Sequence, residues 1–399
     1  DGTVDYDHPL VPAEDDLPLD PSTDMPAGYT ADQRDRPGGF TGDADVMDTW
    51  ATSSLTPQIA GGWEDDTDLF GRVFPMDLRP QAHEIIRTWL FSTVVRSHFE
   101  HNCLPWANAA ISGWVLDPER KKMSKSKGNV ITPLGLLEQY GADAVRYWAA
   151  SGRPGVDTAF DEGQMRVGRR LAIKLLNASR FVLTLAGDTA PEGGGPNGPV
   201  ELTALDRAML GRLANLVEEA TTAFSGYDYA RALERTEGLF WEFCDDYLEL
   251  VKSRAYGSQG EEAAASAHHA LTLALSTLLR LFAPFLPFVT EEVWSWWQEG
   301  SVHRAPWPRA AEVREAAGDA DPLVLEAAAA VLGEVRKSKT AARASMRAEV
   351  DRAVVVDAAP RLAALAQAAA DVREAGRIAA LDVRPGDALS VTVELAAGN

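Results

Sequence analysis

Cysteine is scarce in this 399-residue sequence, with Cys103 and Cys244 the only two. Two thiols cannot build a disulfide framework or a cysteine zinc site, so no protein-bound zinc and a reducing, cytoplasmic setting are expected. Long apolar runs are missing too: nothing approaches the roughly 18 residues that would cross a bilayer. The opening DGTVDYDHPL has neither a basic nor an apolar leader region, so no membrane partner and no targeting segment are expected. A GxxxxGK[ST] loop is absent, which disfavours a P-loop nucleotidase. Basic charge is also in short supply, at 38 Lys plus Arg against 59 Asp plus Glu, a net of -21. Such a balance ordinarily argues against nucleic acid, because phosphate binding needs Lys and Arg.

Where the charge lies matters more than its sum. Residues 1–70 hold 17 acidic and 2 basic side chains, whereas residues 71–130 hold 5 acidic and 9 basic. Residues 1–45 are rich in Asp, Pro and Gly without a period of 2 or 3.6, so they read as irregular chain with a short strand at 4–6. There is no initiating Met, and a long irregular opening is unusual. The expectation is a chain that begins partway through a protein.

The length predicts two or three domains. Across residues 46–160, short apolar runs such as AAISGWVL alternate with helix-like ones such as HEIIRTWLFSTVVRSHF, an α/β pattern. Residues 161–310 carry apolar positions at helical spacing and read as an all-α bundle, interrupted by the flexible linker PEGGGPNGP at 191–199. In RLFAPFLPFVTEEVWSWW, Pro284 and Pro287 would stop one helix and Thr290 cap the next. Residues 320–399 read as a small α/β unit, with strands at 352–356, 377–381 and 389–395 around an Ala-rich helix at 360–374.

The strongest chemical signal is KKMSKSKGNV at 121–130. A lysine run usually means a solvated loop, but alternating lysines, two serines and a Gly-Asn turn could also converge on a polyphosphate. The ordered string resembles the signature of class I aminoacyl-tRNA synthetases. That resemblance implies a Rossmann-type catalytic domain, of which residues 46–160 would be the second half, followed by an anticodon-binding bundle. It also implies ATP with Mg2+ as the energy source, Lys122 and Lys125 as catalytic lysines, and Ser124 beside them on the phosphates. Gly128 and Asn129 would give the loop its freedom.

Further blocks narrow the resemblance to the valyl branch. DVMDTWATSS at 45–54 and RPQAHEIIRTWLF at 79–91 are similar to that branch's amino-acid and ribose blocks. They imply an apolar pocket of Trp50, Ile85 and Trp89 around a valine side chain, with Glu84 on the ribose or substrate amine. Ala82 and Glu84 depart from the Gly and Asp usual at those positions. Trp50 and Trp89 could instead be plain core residues. Ser112 and Gly113 would help seat adenine. Such a pocket distinguishes threonine from valine poorly, and the hydrolytic editing domain that the family uses against it has no counterpart here; residues 1–45 resemble the segment returning from it.

None of the seven histidines lies in a HIGH-like string, the other half of a class I ATP site. The implied reading is a fragment of a valine-activating ligase, with tRNA(Val), valine and ATP as partners, inactive without a missing N-terminal half. Its alternatives are an isoleucyl- or leucyl-type fragment and a non-catalytic tRNA-binding protein. In VRKSKTAARASMRAEV, Arg336, Lys339, Arg343 and Arg347 follow helical spacing and would form a tRNA-phosphate face, or else a merely solvated one.

Overall fold

A computed structural model describes residues 2–43, 45, 49–186 and 200–396. The expected linker at 191–199 lies outside them. The chain forms two compact units, one through Ile111 and one from Ser112 onward.

The first unit opens with irregular chain, broken by 3-10 turns at Glu14–Asp16 and Ala31–Gln33. The strand expected at 4–6 does not form; Val4 and Tyr6 are exposed and, among the described residues, no strand pairs with their backbone. Three short helices follow, α1 (Trp50–Ser53), α2 (Thr56–Ala60) and α3 (Thr67–Val73), the last capped by Asp66, which accepts from Leu69 N at 2.9 Å. Strand β1 (Met76–Ala82) leads through a 3-10 turn (His83–Ile85) and a π-turn (Ile86–Leu90) into α4 (Phe91–His101), and then β2 (Trp106–Ser112) pairs with β1. Little of this unit's apolar surface is buried. Phe40, Pro57, Pro105 and Trp106 are its buried apolar side chains among the described residues, while Phe91, Phe99 and Leu104 stay exposed.

The second unit begins with β3 (Val115–Leu116), the lysine loop, α5 (Leu134–Tyr140), α6 (Ala142–Ala150) and β4 (Thr158–Ala159), which runs parallel to β3. Next comes the bundle: α7 (Glu162–Ala186), α8 (Ala204–Ser225), α9 (Tyr229–Glu242), α10 (Leu248–Ala255), α11 (Glu261–Phe282), α12 (Pro287–Trp294) and α13 (Ala310–Ala317). A π-turn, Phe243–Tyr247, joins α9 to α10 without a break. Sequence pattern explains the packing. On α8, Leu205, Met209, Leu213, Leu216, Val217 and Ala220 recur at three and four residues, all buried, and Thr203 caps the start by accepting from Asp206 N. Each such leucine removed from water contributes about 1.5–3 kcal/mol.

Thr290 does not cap α12. It lies inside that helix, and its hydroxyl donates back to Leu286 O at 2.8 Å. The cap comes from far away in sequence: the Asp143 carboxylate on α6 accepts from Phe288 N at 3.1 Å and Val289 N at 2.8 Å. Pro287 starts the helix rather than ending one, at a position where its missing N–H costs nothing.

The chain ends in α14 (Pro322–Ala341), β5 (Val350–Asp357), α15 (Ala359–Ala366), α16 (Ala369–Gly376), β6 (Ile378–Pro385) and β7 (Ser390–Leu395). The sheet order is β6-β5-β7, with β5 parallel to β6 and antiparallel to β7. Parallel pairing requires a crossover, which α15 and α16 supply. The one helix expected at 360–374 is thus two, separated at Gln367 and Ala368, so that the second half can turn back along the sheet.

Bundle and C-terminal sheet share one core and a buried ionic knot. Arg254 on α10 donates to Asp206 on α8 at 2.8 Å through two nitrogens and to Asp371 on α16 at 2.9 Å. Tyr247 and Ser266 hydroxyls donate to the same Asp206. Burial pushes the Asp206 carboxyl upward, but Arg254 and the two hydroxyls outweigh it and leave it below the usual range.

Candidate functional site

The lysine loop is folded on itself around one carboxylate. Asp117, buried at the end of β3, accepts Lys121 N at 2.8 Å and Asn129 Nδ2 at 2.8 Å. The backbone bond from Lys121 and the Asn129 amide hold its carboxyl below the ordinary range. Asn129 also donates to Lys122 O at 3.2 Å and accepts Ser124 N at 2.9 Å, so one side chain ties together both ends of the loop. Asn129 therefore acts as a clasp and not as a source of backbone freedom. Of the two, Gly128 takes a positive φ, +68°, which ends the 3-10 turn Lys125–Lys127. Ser124 opens that turn by accepting Lys127 N at 3.3 Å.

The two candidate lysines differ. Lys122 Nζ sits 4.5 Å from the centre of the Trp114 ring, a cation-π contact that parks the ammonium beside β3. Lys125 is exposed and forms no ion pair among the described residues. Gly113 has a structural reason to be glycine: a Cβ there would lie 2.4 Å from Val156 backbone atoms. The 156–158 segment crosses at that point, with Asp157 accepting Trp114 N at 2.8 Å and Thr158 N donating to Trp114 O at 2.8 Å. Ser112, exposed, is the last residue of β2.

In the first unit, Trp89 belongs to the π-turn and its indole N–H donates to Ser53 O at 2.7 Å, which fixes α1 against the turn. Trp50 heads α1 and is 39% exposed. Glu84 and Ile85 lie in the adjoining 3-10 turn, Glu84 exposed and Ile85 half-buried. Arg79 is a feature that sequence reasoning passed over. Its guanidinium lies 3.2 Å from the Trp89 ring centre and 5.5 Å from that of Trp106, so one face of Trp89 is already covered. It is buried, burial pushes its pKa down, and Nε and Nη2 have no hydrogen-bond partner among the described residues. The RPQ string held this signal: an arginine on a strand beside two tryptophans.

The basic face expected from Arg336 to Arg347 does not form on one helix. α14 ends at Ala341, so Arg343, at φ +56°, and Arg347 lie beyond it. Lys339 is 2% exposed, and its ammonium donates to Gly376 O at 2.9 Å and Met346 O at 3.2 Å. It anchors the turn after α14 and cannot reach a phosphate; burial pushes its pKa down. Arg336 is engaged with Asp245 O at 2.7 Å and lies 3.6 Å from the Asp246 carboxylate. Arg343 and Arg347 remain exposed. Among the described residues, no group of three His, Cys, Asp or Glu side chains is arranged to hold a metal, and no helix is long and apolar enough to cross a membrane.

Residues 21–161 match the family described as tRNA synthetases class I (I, L, M and V), and residues 206–354 match the anticodon-binding domain of tRNA ligase. The chain is 63% identical over 398 residues to a valine--tRNA ligase of Thermobifida fusca, covering 99% of this chain and 44% of the relative. A valine--tRNA ligase of Salinispora tropica is 59% identical, with 97% of this chain and 46% of the relative covered. Among solved structures, the Agrobacterium radiobacter K84 LeuRS-tRNA-LeuAMS complex is similar in fold, with a TM-score of 0.56 and 18% identity over 89% of this chain and 43% of that one. Methionyl-tRNA synthetase of Mycobacterium tuberculosis with methionyl-adenylate gives 0.50 and 23%, over 62% and 49%. The chain thus spans under half the length of these valine--tRNA ligases. Nearly every residue of it is nonetheless accounted for by them: over almost its whole length the chain is homologous to a part of valine--tRNA ligases, with one segment of class I tRNA synthetase type and one of tRNA ligase anticodon-binding type.

Proposed function

We propose that this chain supplies the lysine-loop half of the ATP site and the tRNA-binding region of an enzyme that couples valine to tRNA(Val). In the first step the valine carboxylate attacks the α-phosphorus of ATP and pyrophosphate leaves; in the second, valine passes to the terminal ribose of the tRNA and AMP leaves. Charge grows on the phosphates in the first step, and preorganised cations lower its barrier more than covalent help would. Lys125, free to swing on the loop, is the residue for that charge, while Lys122 and Ser124 bind the polyphosphate. Magnesium would arrive on the phosphates of ATP, since the loop offers ammonium groups and hydroxyls and no metal-binding carboxylates.

Trp50, Ile85 and the face of Trp89 opposite Arg79 would bound the valine side chain, Glu84 would meet the ribose or the amine, and Ser112 and Gly113 would lie near adenine. Residues 46–160, 161–310 and 320–399 serve in this reading as half the catalytic domain, the anticodon-binding bundle and a C-terminal appendage. Arg343 and Arg347 are left as tRNA contacts from the expected set. The observation that carries the reading is KKMSKSKGNV, clasped by Asp117 and Asn129, in a chain 63% identical to a valine--tRNA ligase. The test is Lys125→Ala in the complete protein. Valine-dependent pyrophosphate exchange should fall by about 100-fold or more while valine affinity holds; equal losses in both would refute the assignment.

A further inference from the structure

We propose that the outward face of α7 is a docking surface for the backbone phosphates of tRNA. The proposal rests on the reading of this chain as part of a tRNA ligase and adds a surface that neither motif nor family match assigns. α7 carries Arg166, Arg169, Arg170, Lys174 and Arg180 against a single acidic residue, Glu162, in a chain whose net charge is -21. Its inward side is apolar and buried, with Met165, Leu171, Leu175, Ala178 and Val182 at helical spacing. Gly168 locks that side against α6, since a Cβ there would fall 2.6 Å from Tyr147 Cβ. The arginines are consequently held outward, at 166, 169, 170 and 180, with exposed Ile173 and Asn177 between them.

Few of these charges are spent inside the protein. Lys174 is, pairing with Asp245 at 3.0 Å. Arg169 donates to a neutral acceptor, Gln139 O, at 2.7 Å, and Arg166 lies 3.6 Å from Glu162, whose carboxylate already accepts from Tyr140 OH at 2.6 Å. Arg170 and Arg180 have no carboxylate partner among the described residues. Arg180 instead stacks over Trp296 at 5.6 Å, which orders the guanidinium without neutralising it. Beside Arg166, Arg169 and Arg170, an open groove of about 630 Å³ runs to Tyr140. From Arg166 to Arg180 the stripe extends about 20 Å at 1.5 Å per residue, long enough for several successive phosphates. Charge complementarity selects the partner: planar guanidiniums suit phosphate, and an apolar surface limited to Ile173 gives a lipid bilayer little to hold.

The test uses the full chain and a transcript of tRNA bearing a valine anticodon, with binding followed by anisotropy between 50 and 200 mM KCl. The triple variant Arg166→Ala, Arg170→Ala, Arg180→Ala should bind about 10-fold or more weaker at the lowest salt. Its slope of log affinity against log salt should shrink by about two to three, one unit per lost phosphate contact. The matching triple lysine variant should keep most of the slope. A thermal melt matching wild type should accompany both, and Arg170→Gln alone gives the smaller loss if the triple variant unfolds. An alanine variant with wild-type affinity and slope overturns the proposal, as does loss of binding to phosphatidylserine vesicles in place of tRNA. A wild-type chain that binds no tRNA sinks the underlying reading as well. Unchanged binding by the α7 variant, beside a loss in Arg343→Ala with Arg347→Ala, sinks the α7 surface only.

Discussion

Asp117 and Asn129, twelve positions apart, are joined by a 2.8 Å hydrogen bond that closes the lysine loop at its base. Asn129→Ala leaves a buried carboxylate without that donor and frees Ser124 N and Lys122 O. In the complete protein the variant should lower the rate of adenylate formation about 10-fold or more, with a smaller change in KM for valine; Asn129→Asp should be worse, because it sets two carboxylates against each other. A variant with wild-type exchange kinetics would show that the clasp is decorative. The pH sense follows from the depressed Asp117 pKa: its stabilisation is present above the ordinary carboxylate range and is lost only as pH falls through the lower folded value.

Gly113→Ala should destabilise the second unit by about 1–3 kcal/mol, because its Cβ meets backbone that has nowhere simple to go. Urea unfolding checks this. Gly135→Ala is the control: nothing lies within 4 Å of the added carbon, and it should shift the midpoint little or favourably.

Arg254→Met should cost about 3–5 kcal/mol in the same assay, since Asp206 and Asp371 would keep their burial and lose their cation. The contribution of Asp206 is present above its ordinary pKa and fades as pH drops through its depressed folded value, so the penalty of the substitution should shrink in acid.

The two thiols should behave unequally. Cys244 is buried in the π-turn between α9 and α10 and burial pushes its thiol up to about 12, whereas Cys103 is half-buried after α4. At pH 8 a thiol reagent should label one cysteine per native chain readily, and Cys103→Ser should abolish that fast phase. Two fast thiols would contradict the burial of Cys244.

Much of the helical half was legible in advance because its signal is periodic burial, as on α8, and period survives without knowledge of neighbours. What failed was information that only tertiary contact contains. The stripe from Arg336 to Arg347 has helical spacing on paper, yet the helix stops at Ala341 and Lys339 turns inward to satisfy Gly376 O. Thr290 looked like a cap because a cap is normally local, but Asp143 had already taken the amides of α12. The loop motif could be recognised as a string, while its clasp through Asp117, four residues upstream of the motif, could not. On α7 the basic positions were in plain sight and were passed over, because its apolar period drew the reading toward the core.

The capping of α12 by Asp143 makes the peptide that follows the lysine loop a structural member of the bundle. A protein cut near residue 160 would strand the amides of Phe288 and Val289 and remove the α6 surface against which Gly168 packs. A bundle excised there should express poorly, and the shortest autonomous version has to begin upstream of Asp143.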